Sequence, residues 1–481
     1  MLSVLKSPRL RQYAVILLVN LSVLTTGMNL GWPSPMIVKL RNATETPLYR
    51  PITEEEGSWI VSVGFLCSVF TNFALGMLLD CIGRKYCVIL TCVPKIIVSI
   101  LFIFATDVWM LVLGRAFIGI GDIFLLSVVP VYASEIASKD MRGILCTFQH
   151  VFLSLGLVIS LSVGPFTSYR TFSIVFAAII LITSIPLLIL PDSPYFLYSK
   201  GKATKAIEIL KLLRGTDQAA KEEIAEYAIS MNNEKVDKLK LLKNRLVLKS
   251  LGISIVFCAG AQLIGFNAVS FYLQTILIST KTNVMPEIAS VIIGLIELFA
   301  SFCTTLVTER FNRKHILISS LIGMLIGMVG LGVFFKIREN TQEVSGFMNY
   351  LPLISLILVV YCCSAGMGSI FWVLIAELFE GPARAVGVST SLLITAFFIF
   401  LTTKYFAALT LDIGPATTYW LFSGACAIVC LFIYYCVPET KGKSFSEIQE
   451  ALGDREASDN MKQTFVPVER KVIKSKNRVL K

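Results

Sequence analysis

Charged and chemically reactive residues are scarce in this chain. Only 16% of its 481 residues are Asp, Glu, Lys or Arg, whereas a soluble globular protein has about 25%. Histidine occurs twice, and the twelve cysteines form no CxxC pair. The sequence shows no catalytic triad, metal-ligand cluster or phosphate-binding loop, so we expect no enzyme, no metal and no cofactor. The cysteines lie in or beside apolar runs, which argues against a disulfide framework.

Apolar residues dominate instead. They make up 55% of the chain, and the mean hydropathy is +0.74. A membrane-spanning helix needs roughly 20 apolar residues. Twelve runs of about that length occur, at 13–34, 58–79, 86–105, 109–132, 144–166, 172–190, 251–278, 288–307, 316–335, 350–375, 385–409 and 418–437. They predict an all-α protein that spans a lipid bilayer.

The runs fall into two groups of six with a charged segment between them. We predict an N-terminal six-helix bundle over 1–190, a linker with amphipathic helices over 191–250, a C-terminal bundle over 251–437 and a basic tail over 438–481. In the linker, helical spacing places Ala206, Ile207, Leu210 and Leu213 on one face. That helix either lies on the bilayer surface or packs beneath the bundle, and we favour the second.

Basic residues predict the orientation. If both termini are cytoplasmic, the segments on that side carry 33 Lys and Arg and the outer loops carry 7, in agreement with the positive-inside rule. This explains the net charge of +11 without a nucleic-acid partner. The sequon Asn42-Ala43-Thr44 then lies outside, so we expect Asn42 to be glycosylated. We expect the protein to reside in the plasma membrane.

The two halves repeat the acidic residues that follow their spans. Asp80 corresponds to Glu309 at an offset of 229 residues, and Glu135 corresponds to Glu377 at an offset of 242. In both halves an arginine follows the second acid by seven residues. Parallel halves of this kind are typical of transporters that bind their substrate near the midplane of the membrane.

These residues predict a cytoplasmic gate. Gly83 permits a tight turn, and we expect acids and arginines to pair when the two halves close on this side. The predicted gate comprises Asp80, Gly83, Arg84, Lys85, Glu135, Arg142, Glu309, Arg313, Glu377 and Arg384. In the alternative interpretation the charges only set the topology and end the helices.

Several of these motifs occur together in one known family. They are GxxxDxxGRK at 76–85, Gly114-Arg115, PxYxxE at 130–135 and PETKGK at 438–443. At these residues the chain resembles the sugar porter family of the major facilitator superfamily. Segments 31–35 and 53–59 are similar to those of insect facilitated trehalose transporters. The resemblance implies twelve transmembrane helices in two pseudo-symmetric six-helix bundles, with alternating access to one central sugar site.

The resemblance carries over the sugar site only in part. Gln262 and Asn267 match family amides in helix 7, and Trp372 matches a ring on which a pyranose packs. Amides suit sugars because they both donate and accept hydrogen bonds.

At other positions of the site this chain has a different residue from the family. His150 stands where the family has a glutamine in helix 5, and Glu297 stands where it has an amide in helix 8. Thr395 replaces an asparagine near helix 11, and Asn29 replaces the helix 1 acid of the proton-coupled members. The alternative role for each residue is packing or interhelical hydrogen bonding.

Charged residues inside apolar runs need a partner or a water-filled cavity. One interpretation pairs Asp122 with Arg115, seven residues away on the same helix, and another makes Asp122 a proton carrier. Lys404 is expected to extend toward the outer surface. We expect Glu297 to line the central cavity, with His150 as its neighbouring cation.

The residues and the resemblance together predict a facilitative sugar uniporter for trehalose or a hexose. Uniport is favoured because Asn29 replaces the acid of the proton-coupled members. One alternative is a proton-coupled transporter of a sugar or other polar solute that uses Glu297 or Asp122. Another is a transporter-like sensor that binds but does not transport. The sequence does not define an oligomeric state, and a monomer is the default.

Overall fold

The computed structural model of the chain describes residues 7–138, 141–233, 245–340, 346–379, 381–441 and 443. Within its helices the side chains at 72–77, 80, 142–144, 146–147, 229–233, 246, 305–309, 369, 376 and 381–385 are not described. All regular secondary structure in the described part is helical, as the all-α prediction requires.

The part of the N-terminal half that the structure describes contains seven α-helices. They are α1 (Pro8–Gly31), α2 (Pro33–Arg41), α3 (Glu54–Ile82), α4 (Arg84–Ile103), α5 (Val108–Ile136), α6 (Arg142–Val163) and α7 (Tyr169–Ser184). Helix α1 packs on α6 and α5, while α5 also contacts α3 and α4.

Local sequence sets both ends of α3. The Thr53 hydroxyl accepts a hydrogen bond from the Glu56 amide at 3.2 Å, and the Glu56 carboxylate accepts one from the Thr53 amide at 2.9 Å. This capping box satisfies amides that the first helical turn leaves unpaired. The helix ends at Gly83, whose φ of 89° is accessible mainly to glycine. The predicted tight turn at Gly83 is confirmed.

The linker packs against the N-terminal half. It contains α8 (Pro194–Ser199), α9 (Ala203–Arg214) and α10 (Asp217–Asn233). Helix α9 buries Ala206, Leu210 and Leu213. Arg214 donates hydrogen bonds to the carbonyl oxygens of Ile136 at 2.8 Å and Ala137 at 3.3 Å, at the end of α5. The amphipathic helix therefore lies beneath the bundle, as we favoured.

Nine α-helices are found in the described residues of the C-terminal half. They are α11 (Arg245–Leu263), α12 (Phe266–Phe271), α13 (Leu273–Thr280), α14 (Pro286–Arg310), α15 (Arg313–Asn340), α16 (Leu351–Cys362), α17 (Gly368–Glu377), α18 (Gly381–Ile413) and α19 (Pro415–Cys436). Helix α15 packs on α19 and α16, and α11 packs on α18.

Several predicted spans are not continuous α-helices, and two of these lie in the C-terminal half. The run 251–278 divides into α11, α12 and α13, with Gly265 in a left-handed conformation at φ 81°. A β-carbon at Gly265 would approach the Phe422 ring to 2.4 Å, so both the backbone and the packing require glycine. The run 350–375 contains a π-helical turn at Cys363–Met367. Hydrophobic periodicity reports burial and does not detect either interruption.

Ten of the twelve predicted spans are found by length and composition among the described residues. Ten described helices, some of them joined across short breaks, are long and apolar enough to cross a membrane. The other two predicted runs, 58–79 and 144–166, coincide with α3 and α6, in which part of the side chains is not described.

In the described residues the two halves meet mainly along three pairs of helices, α3 with α18, α6 with α14 and α2 with α13, and α12 makes smaller contacts with α1 and α2. Three hydrogen bonds between described residues cross this interface: Gln274 N to Ser34 Oγ at 3.0 Å, Lys404 Nζ to Ser58 Oγ at 2.8 Å, and Ser154 Oγ with Ser301 Oγ at 2.6 Å. We call the face that carries α9 the linker side and the face that carries Asn42 the loop side.

Candidate functional site

A small cavity lies where the two halves meet. Its lining residues come from both halves: Gly31, Leu157, Leu161, Ser270, Leu273, Ile293, Glu297 and Val360. Its free volume is about 10 Å³, near the lower limit for one water molecule. This cavity must therefore widen before it holds a sugar.

Glu297 is the acidic residue that lines this cavity. The position agrees with the expectation drawn from the sequence. Its backbone carbonyl oxygen accepts a hydrogen bond from the Ser301 hydroxyl at 2.9 Å. No hydrogen bond or ion pair joins the Glu297 carboxylate to another described side chain. A carboxylate in a narrow cavity without a protein partner is available to a substrate hydroxyl or to a proton.

His150 is not the partner of Glu297. Helices α6 and α14 run antiparallel, because Ser154 meets Ser301 and Gly294 faces Val158. His150 lies one turn from Ser154 in one direction and Glu297 one turn from Ser301 in the other, so they are separated by roughly 12 Å along the helix axes. The predicted cation at Glu297 is wrong. Instead, His150 lies near Gly368 at the other half, where a β-carbon would be 4.0 Å from its Cε1.

The two amides predicted to bind sugar are bonded to each other. Asn267 Nδ2 donates to Gln262 Oε1 at 2.6 Å. Gln262 ends α11 and Asn267 begins α12, so the pair bridges the break at Gly265. A substrate that used both amides would have to replace this bond, and its gain in affinity would be reduced accordingly.

Trp372 and Thr395 have different surroundings. Trp372 is 45% exposed and packs edge-on against Phe371, with ring centroids 5.0 Å apart. Thr395 is buried, and its hydroxyl donates to the Ser391 carbonyl of its own helix at 2.8 Å. Trp372 thus presents an open ring face, whereas the Thr395 hydroxyl is already used in α18.

Three buried charged residues of the N-terminal half, Lys95, Arg115 and Asp122, lie in one cluster. Lys95 Nζ lies 2.5 Å from Asp122 Oδ1, and Asn29 Nδ2 donates to Asp122 Oδ2 at 2.5 Å. Arg115 donates to the Asn29 backbone carbonyl at 3.0 Å and also to its side-chain oxygen. The predicted Asp122–Arg115 pair is wrong: the partner is Lys95, and Asn29 separates the two predicted residues. Asn29 is therefore engaged by both charges and not free for substrate.

Ion pairs on the linker side form within each half. In the N-terminal half, Arg84 Nη2 lies 2.9 Å from Glu135 Oε1. In the C-terminal half, Arg313 Nη2 lies 3.8 Å from Glu377 Oε1. Our expectation that these partners meet only when the halves close together is wrong, because each described pair lies inside one bundle.

Other predicted gate residues are only partly visible. Lys85 donates to the Leu188 carbonyl at 2.9 Å. The side chains of Asp80, Arg142, Glu309 and Arg384 lie outside the described residues, so their place in a gate remains a prediction.

Sequence reasoning missed Glu439 and Thr440 as parts of this region. The Glu439 carboxylate accepts hydrogen bonds from the backbone amides of Arg313 at 3.0 Å and Lys314 at 3.1 Å. The Thr440 hydroxyl donates to Glu377 at 2.5 Å. A carboxylate near the N-terminus of a helix, here α15, interacts favourably with the unpaired backbone amides of the first turn. The PET motif after the last span marks these residues as a family motif. The sequence alone does not indicate which residues they contact.

Groups outside the membrane show two clear electrostatic effects. On the loop side, the hydrogen bond from Arg50 lowers the pKa of Glu56 from 4.5 to about 2. On the linker side, burial raises the pKa of Asp192, although Arg84 and Lys85 oppose the change. Among the described residues, no three His, Cys, Asp or Glu side chains are grouped as a metal site requires.

Residues 15–452 match the family model described as "Sugar (and other) transporter". The facilitated trehalose transporter Tret1 of Polypedilum vanderplanki is 28% identical over 92% of this chain and 88% of its own length. Tret1 of Aedes aegypti is also 28% identical over 92% of this chain, which spans 55% of that longer protein. The inward-open xylose transporter XylE from E. coli has a TM-score of 0.77 at 20% identity, and the match covers 92% of this chain and all of the bacterial one.

The family match covers nearly the whole chain, and the fold agrees with it independently. The family consists of transporters, not enzymes. The chain belongs to the sugar transporter family of the major facilitator superfamily and is a multi-pass membrane sugar transporter.

Proposed function

We propose that the protein is a facilitative uniporter of trehalose or a hexose that works by alternating access. The observation that supports this most directly is the cavity between the halves, where Glu297 and Ser270 lie opposite Gly31 and Leu157. A site at such an interface opens to either side when the bundles tilt against each other. The predicted domains 1–190 and 251–437 are the two moving bodies.

Uniport is supported by the state of the buried acid. Asn29 occupies the position of the helix 1 acid, and the nearby Asp122 carboxylate receives three donors, from Lys95, Thr26 and Asn29. The carboxylate oxygens are thus held by donors of the protein, and Asp122 does not line the central cavity, so it is not placed to couple sugar binding to a proton.

The substrate proposal rests on the relatives. The Tret1 proteins are named facilitated trehalose transporters, and the retained Gln262, Asn267 and Trp372 are suited to a sugar. The binding proposal also includes Glu297 and His150, which replace family amides, whereas Thr395 and Asn29 contribute only if their present hydrogen bonds break.

For the location, we propose the plasma membrane with both termini and the linker side in the cytoplasm. The count of basic residues supports this orientation, as does the exposed Asn42 on the loop side. The linker-side pairs Arg84–Glu135 and Arg313–Glu377 then lie at the cytoplasmic ends of the two bundles.

Proton coupling through Glu297 is the second candidate, because its carboxylate in the cavity has no described protein partner. A single experiment separates the possibilities. Cells without endogenous sugar transport express the chain and receive labelled trehalose, glucose or xylose, with and without an imposed pH gradient. Uniport predicts equilibration without accumulation, whether or not the gradient is imposed. Accumulation that follows the gradient supports symport, and surface expression with no uptake of any sugar contradicts transport.

A further inference from the structure

A buried ion pair joins α4 to α5 in the N-terminal half. Lys95 is 1% exposed and Asp122 is 4% exposed, and their charged atoms are 2.5 Å apart. Neither residue lines the central cavity. Removing two charges from water is costly unless further hydrogen bonds satisfy them, so the surroundings of the pair must be well ordered.

Helix α1 supplies those hydrogen bonds. Lys95 Nζ donates to Thr26 Oγ1 at 2.8 Å, and Thr26 Oγ1 donates to Asp122 Oδ1 at 2.8 Å. One turn further along α1, Asn29 Nδ2 donates to Asp122 Oδ2. Both oxygens of the carboxylate therefore hold α1, and they do so at two successive turns.

The same segment of α1 is held from two other directions. Arg115 donates hydrogen bonds to the Asn29 carbonyl oxygen at 3.0 Å and to the Ile60 carbonyl oxygen of α3 at 3.1 Å, and so links the two helices. On the opposite face, the Ser160 hydroxyl of α6 donates to the Met28 carbonyl at 2.7 Å. Gly31, two residues after Asn29, forms part of the cavity wall. The ion pair thus lies in contact with the segment that ends at the cavity.

We infer that Lys95 and Asp122 are positioning residues of the transport cycle: their ion pair holds Asn29 and thereby places the α1 wall of the cavity at Gly31 opposite α14. The inference rests on the proposed transport function. The pair acts as a unit, because loss of one partner leaves an uncompensated buried charge, whereas replacing both partners by neutral side chains of similar size removes both charges together.

The test is a double-mutant cycle with Lys95→Met, Asp122→Asn and the double variant. The matched control is the exposed linker pair, through Lys211→Met and Asp217→Asn, which lies outside the membrane and far from the cavity. Each protein is assayed for its thermal denaturation midpoint, its amount at the cell surface and its KM for labelled glucose and trehalose.

We expect each single variant to lower the denaturation midpoint and to raise KM about tenfold, since small displacements of a positioned site have effects of that order or larger. The double variant should recover most of both losses, because the amide oxygen introduced by Asp122→Asn can still accept the hydrogen bond from Asn29 and no buried charge is left unpaired. The control pair should change neither quantity. A pair that only stabilises the fold would lower the surface amount while KM per surface transporter stays unchanged, and that result overturns the inference. Additive losses in the double variant overturn it as well.

A second readout does not depend on transport. Ser270 lines the cavity together with Gly31, so alkylation of the thiol introduced by Ser270→Cys reports the geometry of the wall and is quantified by peptide mass spectrometry. We expect an altered labelling rate in each single variant and recovery in the double. If the wild type transports neither sugar, the proposed function fails, but labelling still decides the positioning role: equal rates in all four proteins refute it.

Discussion

Lys404 of the C-terminal half lies over Trp59 of the N-terminal half, with its Nζ 4.2 Å from the ring centroid. The same Nζ donates to Ser58 Oγ at 2.8 Å. Phe400, one turn earlier on α18, contacts Trp59 as well, with ring centroids 6.2 Å apart. Lys404 therefore extends toward the loop side, where it joins α18 to the start of α3.

This contact leads to a prediction about access from the loop side. Lys404→Met keeps the length of the side chain but removes its charge. A cation–π contact is worth about 0.5–2 kcal/mol, so the closed population should fall by about two- to thirtyfold relative to the open one. An impermeant reagent added from the loop side should label the Ser270→Cys thiol faster. Lys404→Arg is the matched control and should behave like the parent; equal rates in the Met variant would refute the contact as a lock.

Asn42 should carry a glycan. It is exposed, and the Thr44 hydroxyl already donates to its side-chain oxygen at 2.9 Å. Asn42→Gln and Thr44→Ala should both increase mobility on a gel and abolish sensitivity to glycosidase. Asn20→Gln is the control, because Asn20 belongs to a second sequon but is buried in α1. If mobility is unchanged in a cell that glycosylates reference proteins, the proposed orientation loses its best support.

The two linker-side pairs should differ in strength. The Arg313–Glu377 pair is long, at 3.8 Å, and partly exposed, so Glu377→Gln should change the balance between the two open states by less than about fivefold. The Arg84–Glu135 pair is shorter and less exposed, so Glu135→Gln should change the balance by more than about tenfold. Labelling of the Ser270→Cys thiol from each side measures the balance. Identical labelling and transport in both variants would leave these residues as topology signals only.

Glu297 should control the pH dependence of transport. If it carries protons, Glu297→Gln abolishes accumulation driven by a pH gradient but spares exchange of substrate. If it only accepts a hydrogen bond from the substrate, Glu297→Gln restores the family's amide and keeps transport with a flatter pH profile. The comparison variant is His150→Gln, which restores an amide roughly two helical turns away. Wild-type transport by both Glu297→Gln and Glu297→Ala from pH 5 to 8 would place Glu297 outside the site.

The loop-side capping box should weaken in acid. Since the folded pKa of Glu56 is about 2 and its ordinary value is 4.5, its carboxylate stabilises the fold above pH 4.5 and loses that effect as the pH falls toward 2. The denaturation midpoints of wild type and Glu56→Gln should therefore differ most near neutral pH and converge in acid. Glu55→Gln, on the exposed side of the same turn, is the control. A difference that stays constant with pH would exclude titration of Glu56 as the cause.

The sequence was sufficient to predict the helices. An apolar run of spanning length can satisfy its backbone hydrogen bonds within a bilayer by forming a helix. It was also sufficient for Gly83, since a glycine between a helix end and a basic pair favours a tight turn. It was not sufficient for the partner of Asp122. Spacing along one helix indicates Arg115, but Lys95 on a neighbouring helix is closer, and the rotation of one helix against another depends on packing that no local pattern records.

The site shows the same limit. Counting twelve residues back from Glu309 predicted the position of Glu297, because both residues belong to the continuous helix α14. Counting could not place His150 relative to Glu297, since their distance depends on the antiparallel contact of α6 with α14. Nor could it show that Gln262 and Asn267 bond to each other, because the chain turns at Gly265 between them.

The hydrogen bonds from Arg214 to the end of α5 attach the linker to the N-terminal bundle. The Arg214 guanidinium donates to the carbonyl oxygens of the two residues that follow Glu135, and the Glu223 carboxylate accepts hydrogen bonds from it at 2.7 and 2.9 Å. Detaching α9 would strip those carbonyls of their donor one residue away from the Arg84–Glu135 pair. The linker is thus fixed to one of the two bundles, so a force applied to residues 203–233 acts directly on the linker-side end of the N-terminal bundle.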